Sequence, residues 1–157
     1  MKLIKSTLAL FLLAITVFSS CKKEEEVAPT PSKVSNTEKA VAVLQAIQSG
    51  DATAMKNYLN ATTYTQHNLA YPDGAAAVIG ATETGAFTGT TIETYRTFED
   101  NDMVILHSQY GGTWNSDTAQ IAFDVFRFEN GLIVEHWDNL TNVVDDNDGT
   151  TQFDGAL

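Results

Sequence analysis

Two periodicities divide the chain. From Ser35 to Gly85 apolar residues recur at helical intervals, and from Thr91 to Leu140 they alternate with a period of two. The first helix follows Ser35 and Glu38, which stand at capping-box spacing. Ala40, Val41, Leu44 and Ile47 form its apolar stripe, and Gly50 ends it. "DATAMKNYL" reads as a second short helix capped by Asp51. "TTYTQHN" is a short strand running into a turn. "YPDGAAAVIGATETG" is turn chemistry followed by a third helix that stops at Gly85. Four β-rich runs follow: "TIETYRTF", "MVILHSQYGGTW", "AQIAFDVFRF" and "LIVEHWDNL". They are separated by "EDND", "NSDT" and "ENG". Helices first and an antiparallel meander after predict an α+β fold, with helices gathered on one face of the sheet. A strongly curved, mainly antiparallel sheet wrapped around three N-terminal helices makes a conical barrel with an open end.

The last two runs allow a finer reading. Asn130-Gly131 is the strongest short hairpin signal, because a type I′ turn needs positive φ at both central residues. Counting regularly from that turn, Phe128 faces Ile133, Phe126 faces Glu135 and Asp124 faces Trp137. Side chains alternate along a strand, so Asp124, Phe126, Phe128, Ile133, Glu135 and Trp137 share one face. Phe123, Val125, Arg127, Val134, His136 and Asp138 share the other. Two carboxylates among aromatic rings suit a pocket wall, which is mostly apolar with a few placed polar groups. Alternatively, the two carboxylates lie at a solvated sheet edge.

The ends of the chain change the picture of its location. Residues 1–20 have a secretory signal layout: Lys2 and Lys5, an apolar run from Leu8 to Phe18, then Ser19 and Ser20. The run is too short for an ordinary spanning helix. The only cysteine, Cys21, follows directly, so "FSSC" resembles a bacterial lipobox, which implies lipidation of Cys21. A lone cysteine excludes an intramolecular disulfide. Residues 21–34, containing "KKEEEVAPTPSK", read as a flexible tether. The globular domain is expected over 35–145, and 146–157 is a C-terminal tail. The expected location is the bacterial cell envelope, lipid-anchored to a membrane, at the outer membrane or the cell surface.

Charge narrows the partners. The chain carries 9 Lys+Arg against 20 Asp+Glu, a net charge of −11 that becomes −13 once Lys2 and Lys5 leave with the signal. Such a body is poorly suited to nucleic acid or an anionic bilayer, so membrane contact is expected through the lipid anchor alone. No Cys/His cluster has zinc spacing, and no glycine-rich phosphate loop is present. "VVDDNDGTT" would place Val144 at the first ligand position of a calcium loop, where valine cannot ligate. Neither a metal nor an organic cofactor is expected.

"YTQHNLAYPDG" followed by "FDVFRFENGLIVEHWDN" resembles the SnoaL-like, polyketide cyclase-like branch of the nuclear transport factor 2-like superfamily. The resemblance covers about Thr37 to Val143. It implies the conical α+β barrel and a set of site residues. Asp124 takes the place of the acid/base carboxylate inside the cone, and His67 faces it across the cavity. Asn68 stands at the mouth with His67, while His107, Phe126, Glu135 and Trp137 complete the substrate-binding wall. His136, on the opposite face, is expected against a dimer partner or solvent. Pairing through the outer sheet face implies a homodimer. Two functions follow from this cone. One is cofactor-independent proton abstraction next to a carbonyl, leading to isomerisation or aldol-type ring closure. The other is a non-catalytic binding protein for a small apolar or carbonyl-containing ligand.

Overall fold

A computed structural model describes residues 33–143. The expected signal and Cys21, most of the expected tether and the segment read as a C-terminal tail lie outside the described residues. Three helices come first: α1 (Asn36–Ser49), α2 (Thr53–Tyr58) and α3 (Ala75–Glu83), with a short strand β1 (Thr65–Gln66) between α2 and α3. The meander follows as β2 (Thr90–Asp100), β3 (Met103–Gly112), β4 (Gln120–Glu129) and β5 (Leu132–Asn142). A 3-10 turn at Trp114–Asp117 joins β3 to β4. The five strands form one sheet in the order β1-β5-β4-β3-β2. The expected α+β architecture is therefore what the chain adopts.

Local chemistry sets the helix ends. The Ser35 side chain accepts from the Glu38 backbone N–H, and the Glu38 carboxylate accepts from the Ser35 backbone N–H at 2.7 Å. This satisfies two donors that a helix start would otherwise leave open. Gly50 ends α1 with φ of 75°, the left-handed conformation that glycine adopts without strain. Asp51 sits one residue before the cap of α2, where its carboxylate accepts from the Thr53 backbone N–H at 2.9 Å.

α1 lays Ala40, Val43, Leu44 and Ala46 onto the inner face of the sheet. That face supplies Val104, Leu106, Ala122, Phe126, Phe128 and Ile133, all buried. Burial of each large apolar side chain stabilises the fold by about 1.5–3 kcal/mol. The outer face is different. Tyr95, Phe98, Ile105 and Phe123 stay exposed there, and His107 stacks on Phe123 with ring centroids 4.6 Å apart.

The hairpin turn forms as its sequence dictates, with φ of 52° at Asn130 and 79° at Gly131. Two residues further on, the regular count fails. Phe128 pairs with Ile133, but Arg127 pairs with Glu135, leaving Val134 as an extra residue in β5. This β-bulge shifts every later pair by one: Phe126 opposes His136, Val125 opposes Trp137 and Asp124 opposes Asp138. Ile133 and Val134 are both buried, at 0% and 2% exposure, which favours inserting the second apolar residue rather than turning it to solvent. Register fixes faces. His136 and Asp138 therefore join Asp124 inside, while Glu135 and Trp137 move to the outer face with Arg127. This corrects the face assignment obtained by regular counting. A second bulge, between Thr94 and Arg96 in β2, adds to the curvature of the sheet.

Candidate functional site

The concave side of the sheet and the helices enclose a cavity between them. Its walls include Leu44, Met55, Val78 and Phe126, with Tyr64, Tyr71, Phe87, Tyr110 and Trp114 supplying further rings. The polar groups among the lining residues are few: the three tyrosine hydroxyls, Trp114, Gln66, His136 and Asp138. The interior is narrow. A water-sized sphere has about 40 Å³ for its centre, within about 510 Å³ of total empty space that includes the open mouth. That suits a slim molecule of few heavy atoms.

Behind this wall lies Asp124, 1% exposed. Oδ1 of Asp124 stands 3.1 Å from His136 Nε2 and accepts from the Tyr110 hydroxyl at 3.1 Å. Oδ2 lies 3.2 Å from the same hydroxyl. Burial raises the Asp124 carboxyl above the ordinary carboxylate range, while the bonds from His136 and Tyr110 act against it. Tyr110, also buried, is pushed well above the usual phenol range, first by desolvation and then by the neighbouring Asp124 charge.

The tautomer of His136 follows from its other neighbour. Gln66 Oε1 accepts from the Asn68 backbone N–H at 3.0 Å, which fixes the orientation of the amide. Gln66 Nε2 therefore donates, to His136 Nδ1 at 3.2 Å and to the Tyr64 hydroxyl oxygen at 3.2 Å. With Nδ1 accepting, the His136 proton sits on Nε2 and points at Asp124. In the same way the Tyr64 oxygen accepts from Gln66, so the Tyr64 proton is not engaged by that amide. β1 makes this possible: Gln66 pairs with His136 across the parallel β1–β5 ladder, and the His67 backbone N–H continues it to the His136 carbonyl at 2.9 Å.

Asp138 is the carboxylate on the cavity wall itself. Its Oδ2 accepts from the Asn68 side-chain amide at 2.8 Å. Asp124, His136 and Asp138 bring potential metal-ligand atoms within 4.8 Å of one another. Both His136 nitrogens are engaged within the protein, Nδ1 by Gln66 and Nε2 by Asp124.

The residues named from the sequence divide sharply. Asp124 and Phe126 are inside, and Asn68 holds Asp138. His67 does not face Asp124. Its ring stacks on Trp137 at 4.5 Å and 3°, and its Nε2 lies 3.2 Å from Glu135 Oε2. Glu135 also accepts from Arg127 Nε at 2.9 Å, so His67, Glu135, Trp137 and Arg127 form one outer-face cluster. The Arg127 bond holds the Glu135 carboxyl below its usual range. His107 is likewise on the outer face, beside Phe123 and Arg96. Conversely, His136 lies inside rather than toward solvent or a partner, at 8% exposure. Tyr64, Gln66, Tyr110 and Asp138 are site residues that counting from the turn overlooked. Tyr64 and Gln66 stand two apart in a β-forming run, the spacing that puts both on one face.

No protein-family model and no curated protein matches the sequence. Solved structures do match. An NTF2-like protein of unknown function from Cytophaga hutchinsonii superposes with a TM-score of 0.59 at 15% identity, over 71% of this chain and 95% of that one. The fold is NTF2-like. An LEH-like epoxide hydrolase from M. tuberculosis gives a TM-score of 0.58 at 15% identity, covering 68% of this chain and 82% of its own. A protein provisionally named a polyketide cyclase, from Bacillus cereus, gives 0.56 at 18%, covering 71% and 74%. At these identities the likeness is one of NTF2-like architecture, and the same architecture serves proteins with differently named activities.

Proposed function

We propose that the protein acts on a small, mostly apolar carbonyl compound by proton abstraction, in the manner of an isomerase or aldol-type cyclase. The observation that carries this reading is that a carboxylate, Asp138, and a hydroxyl, Tyr64, whose oxygen accepts from Gln66, line the same cavity. Asp138 takes a proton from the carbon next to the carbonyl. The electron pair of the broken C–H bond moves onto the carbonyl oxygen, and Tyr64 donates a hydrogen bond to that developing oxyanion. Return of the proton to another carbon gives an isomer. Attack of the enolate carbon on a second carbonyl of the same molecule closes a ring, and the alkoxide formed there takes the proton that Asp138 holds.

The remaining polar groups position these two. Asn68 holds Asp138, and Gln66 orients both Tyr64 and His136. Asp124, which the sequence resemblance places in the acid/base role, is separated from the cavity by His136 and Tyr110, both of which line it. In this proposal it is a positioning residue. The named activities of the B. cereus and M. tuberculosis neighbours are compatible with acid/base chemistry in such a cone. The test is deuterium exchange from D2O into cyclohexanone, followed by proton NMR. Exchange above the buffer rate supports the reading. Saturable binding without exchange assigns the cavity to a binding protein instead.

We also propose that Cys21 is lipidated and tethers the domain to the envelope, which rests on the "FSSC" pattern. Mass spectrometry of the membrane fraction should find acyl mass on an N-terminal Cys21 peptide, and an unmodified thiol there would reject it. The apolar outer face, with Phe98 52% and Phe123 45% exposed, supports the proposal of a homodimer. Light scattering at high micromolar concentration should give twice the monomer mass. A monomer mass under those conditions rejects it.

A further inference from the structure

The chemistry of the cavity points to one feature of its ligand. Among the described residues that line it, none is lysine or arginine. His136 is the only basic side chain among the described lining residues, and both its nitrogens are engaged, by Gln66 and by Asp124. Against this stand one carboxylate on the wall, Asp138, and a second immediately behind, Asp124. An anionic ligand would meet the Asp138 and Asp124 carboxylates with no lysine or arginine on the wall to offset them.

The rings are arranged as a continuous series. Tyr71 and Phe87 have centroids 5.9 Å apart, Phe87 and Trp114 6.1 Å, and Trp114 and Tyr110 5.0 Å. Tyr71, Phe87 and Trp114 also line a neighbouring open depression with Thr90, Thr113 and Gln120. They stand between the depression and the inner cavity. Aromatic faces carry negative potential and attract cations, more strongly where water is excluded. Carboxylates nearby add to the same field.

We propose that the cavity selects a small molecule bearing a positively charged nitrogen, seated against Tyr71, Phe87 and Trp114, with its carbonyl end directed at Asp138 and Tyr64. The inference rests on the cavity being the ligand site, and it names the substrate class: small amino-carbonyl compounds. A cationic nitrogen also makes neighbouring C–H bonds more acidic and offsets the enolate charge that develops as Asp138 takes up the proton.

Isothermal titration calorimetry on the purified protein with three probes of matched shape tests this. The probes are choline, its uncharged isostere 3,3-dimethylbutan-1-ol, and the anion 3,3-dimethylbutyrate. The expected result is choline binding at least tenfold tighter than the alcohol, with no binding of the anion. Trp114→Leu keeps an apolar wall but removes the ring, and should weaken choline severalfold more than it weakens the alcohol. Asp138→Asn should bring choline close to the alcohol. Equal affinity for choline and the alcohol, indifference of choline to both substitutions, or no binding of choline overturns the proposal. These readings involve no turnover. Exchange into cyclohexanone without choline selectivity would reject the cation and keep the chemistry, and the reverse pattern would do the opposite.

Discussion

Asp138→Asn should lower deuterium exchange into a bound ketone at least about a hundredfold, since general-base catalysis contributes roughly 10²–10⁴. The substitution is nearly isosteric. The Asn carbonyl can still accept from the Asn68 amide that Asp138 now accepts from at 2.8 Å, so the fold should survive and apolar ligands should still bind. Tyr64→Phe should lower exchange as well, because it removes the cavity-lining hydroxyl proposed to stabilise the oxyanion. His67→Ala is the contrast. His67 packs on Trp137 and Glu135 at the outer face, so its loss should leave exchange unchanged. If His67→Ala abolishes exchange and Asp138→Asn does not, the site has been placed on the wrong side of the sheet.

Asp124 should show its weight in stability. Asp124→Ala leaves the Tyr110 hydroxyl and the His136 N–H without their acceptor in a buried place. At about 1–3 kcal/mol for each orphaned donor, the loss should be about 2–6 kcal/mol. Asp124→Asn should behave quite differently. Oδ1 alone already lies 3.1 Å from both donors, so one amide oxygen can serve both, and no charge is buried. The pH dependence has a defined sign. Burial raises the Asp124 pKa on folding, so the folded state holds its proton more tightly than the unfolded chain. The contribution of Asp124 to stability therefore grows as pH falls from the raised pKa toward the ordinary carboxylate value. Relative to wild type, Asp124→Asn should be at its most favourable at neutral pH and lose that advantage on acidification. Urea midpoints of the two proteins between pH 7 and pH 4 measure this. A difference that stays constant with pH would contradict it.

Much of the fold was legible because its signals are local. Ser35, Glu38 and Gly50 bracket α1, and Asn130-Gly131 builds the turn from residues that tolerate positive φ. The depth of Asp124 was legible too, since alternation from Phe128 back to Asp124 runs along β4 without interruption. The other half of the hairpin was not. "LIVEHWD" contains adjacent buried apolar residues, Ile133 and Val134, and nothing local says that the second will be absorbed as a bulge. That one residue exchanges Glu135 and Trp137 for His136 and Asp138 on the cavity wall. The role of Gln66 was hidden for another reason. It depends on the parallel pairing of β1 with β5, a contact between segments 70 residues apart that no sequence period encodes.

The most direct test of the site is a crystal structure of the protein soaked with cyclohexanone. The ketone is expected on the concave side of the sheet, its oxygen within hydrogen-bond distance of the Tyr64 hydroxyl and a carbon next to the carbonyl against the Asp138 carboxylate. A ketone seated on the outer face beside His67 and Trp137, or one in the cavity with its oxygen turned away from Tyr64, would contradict the assignment.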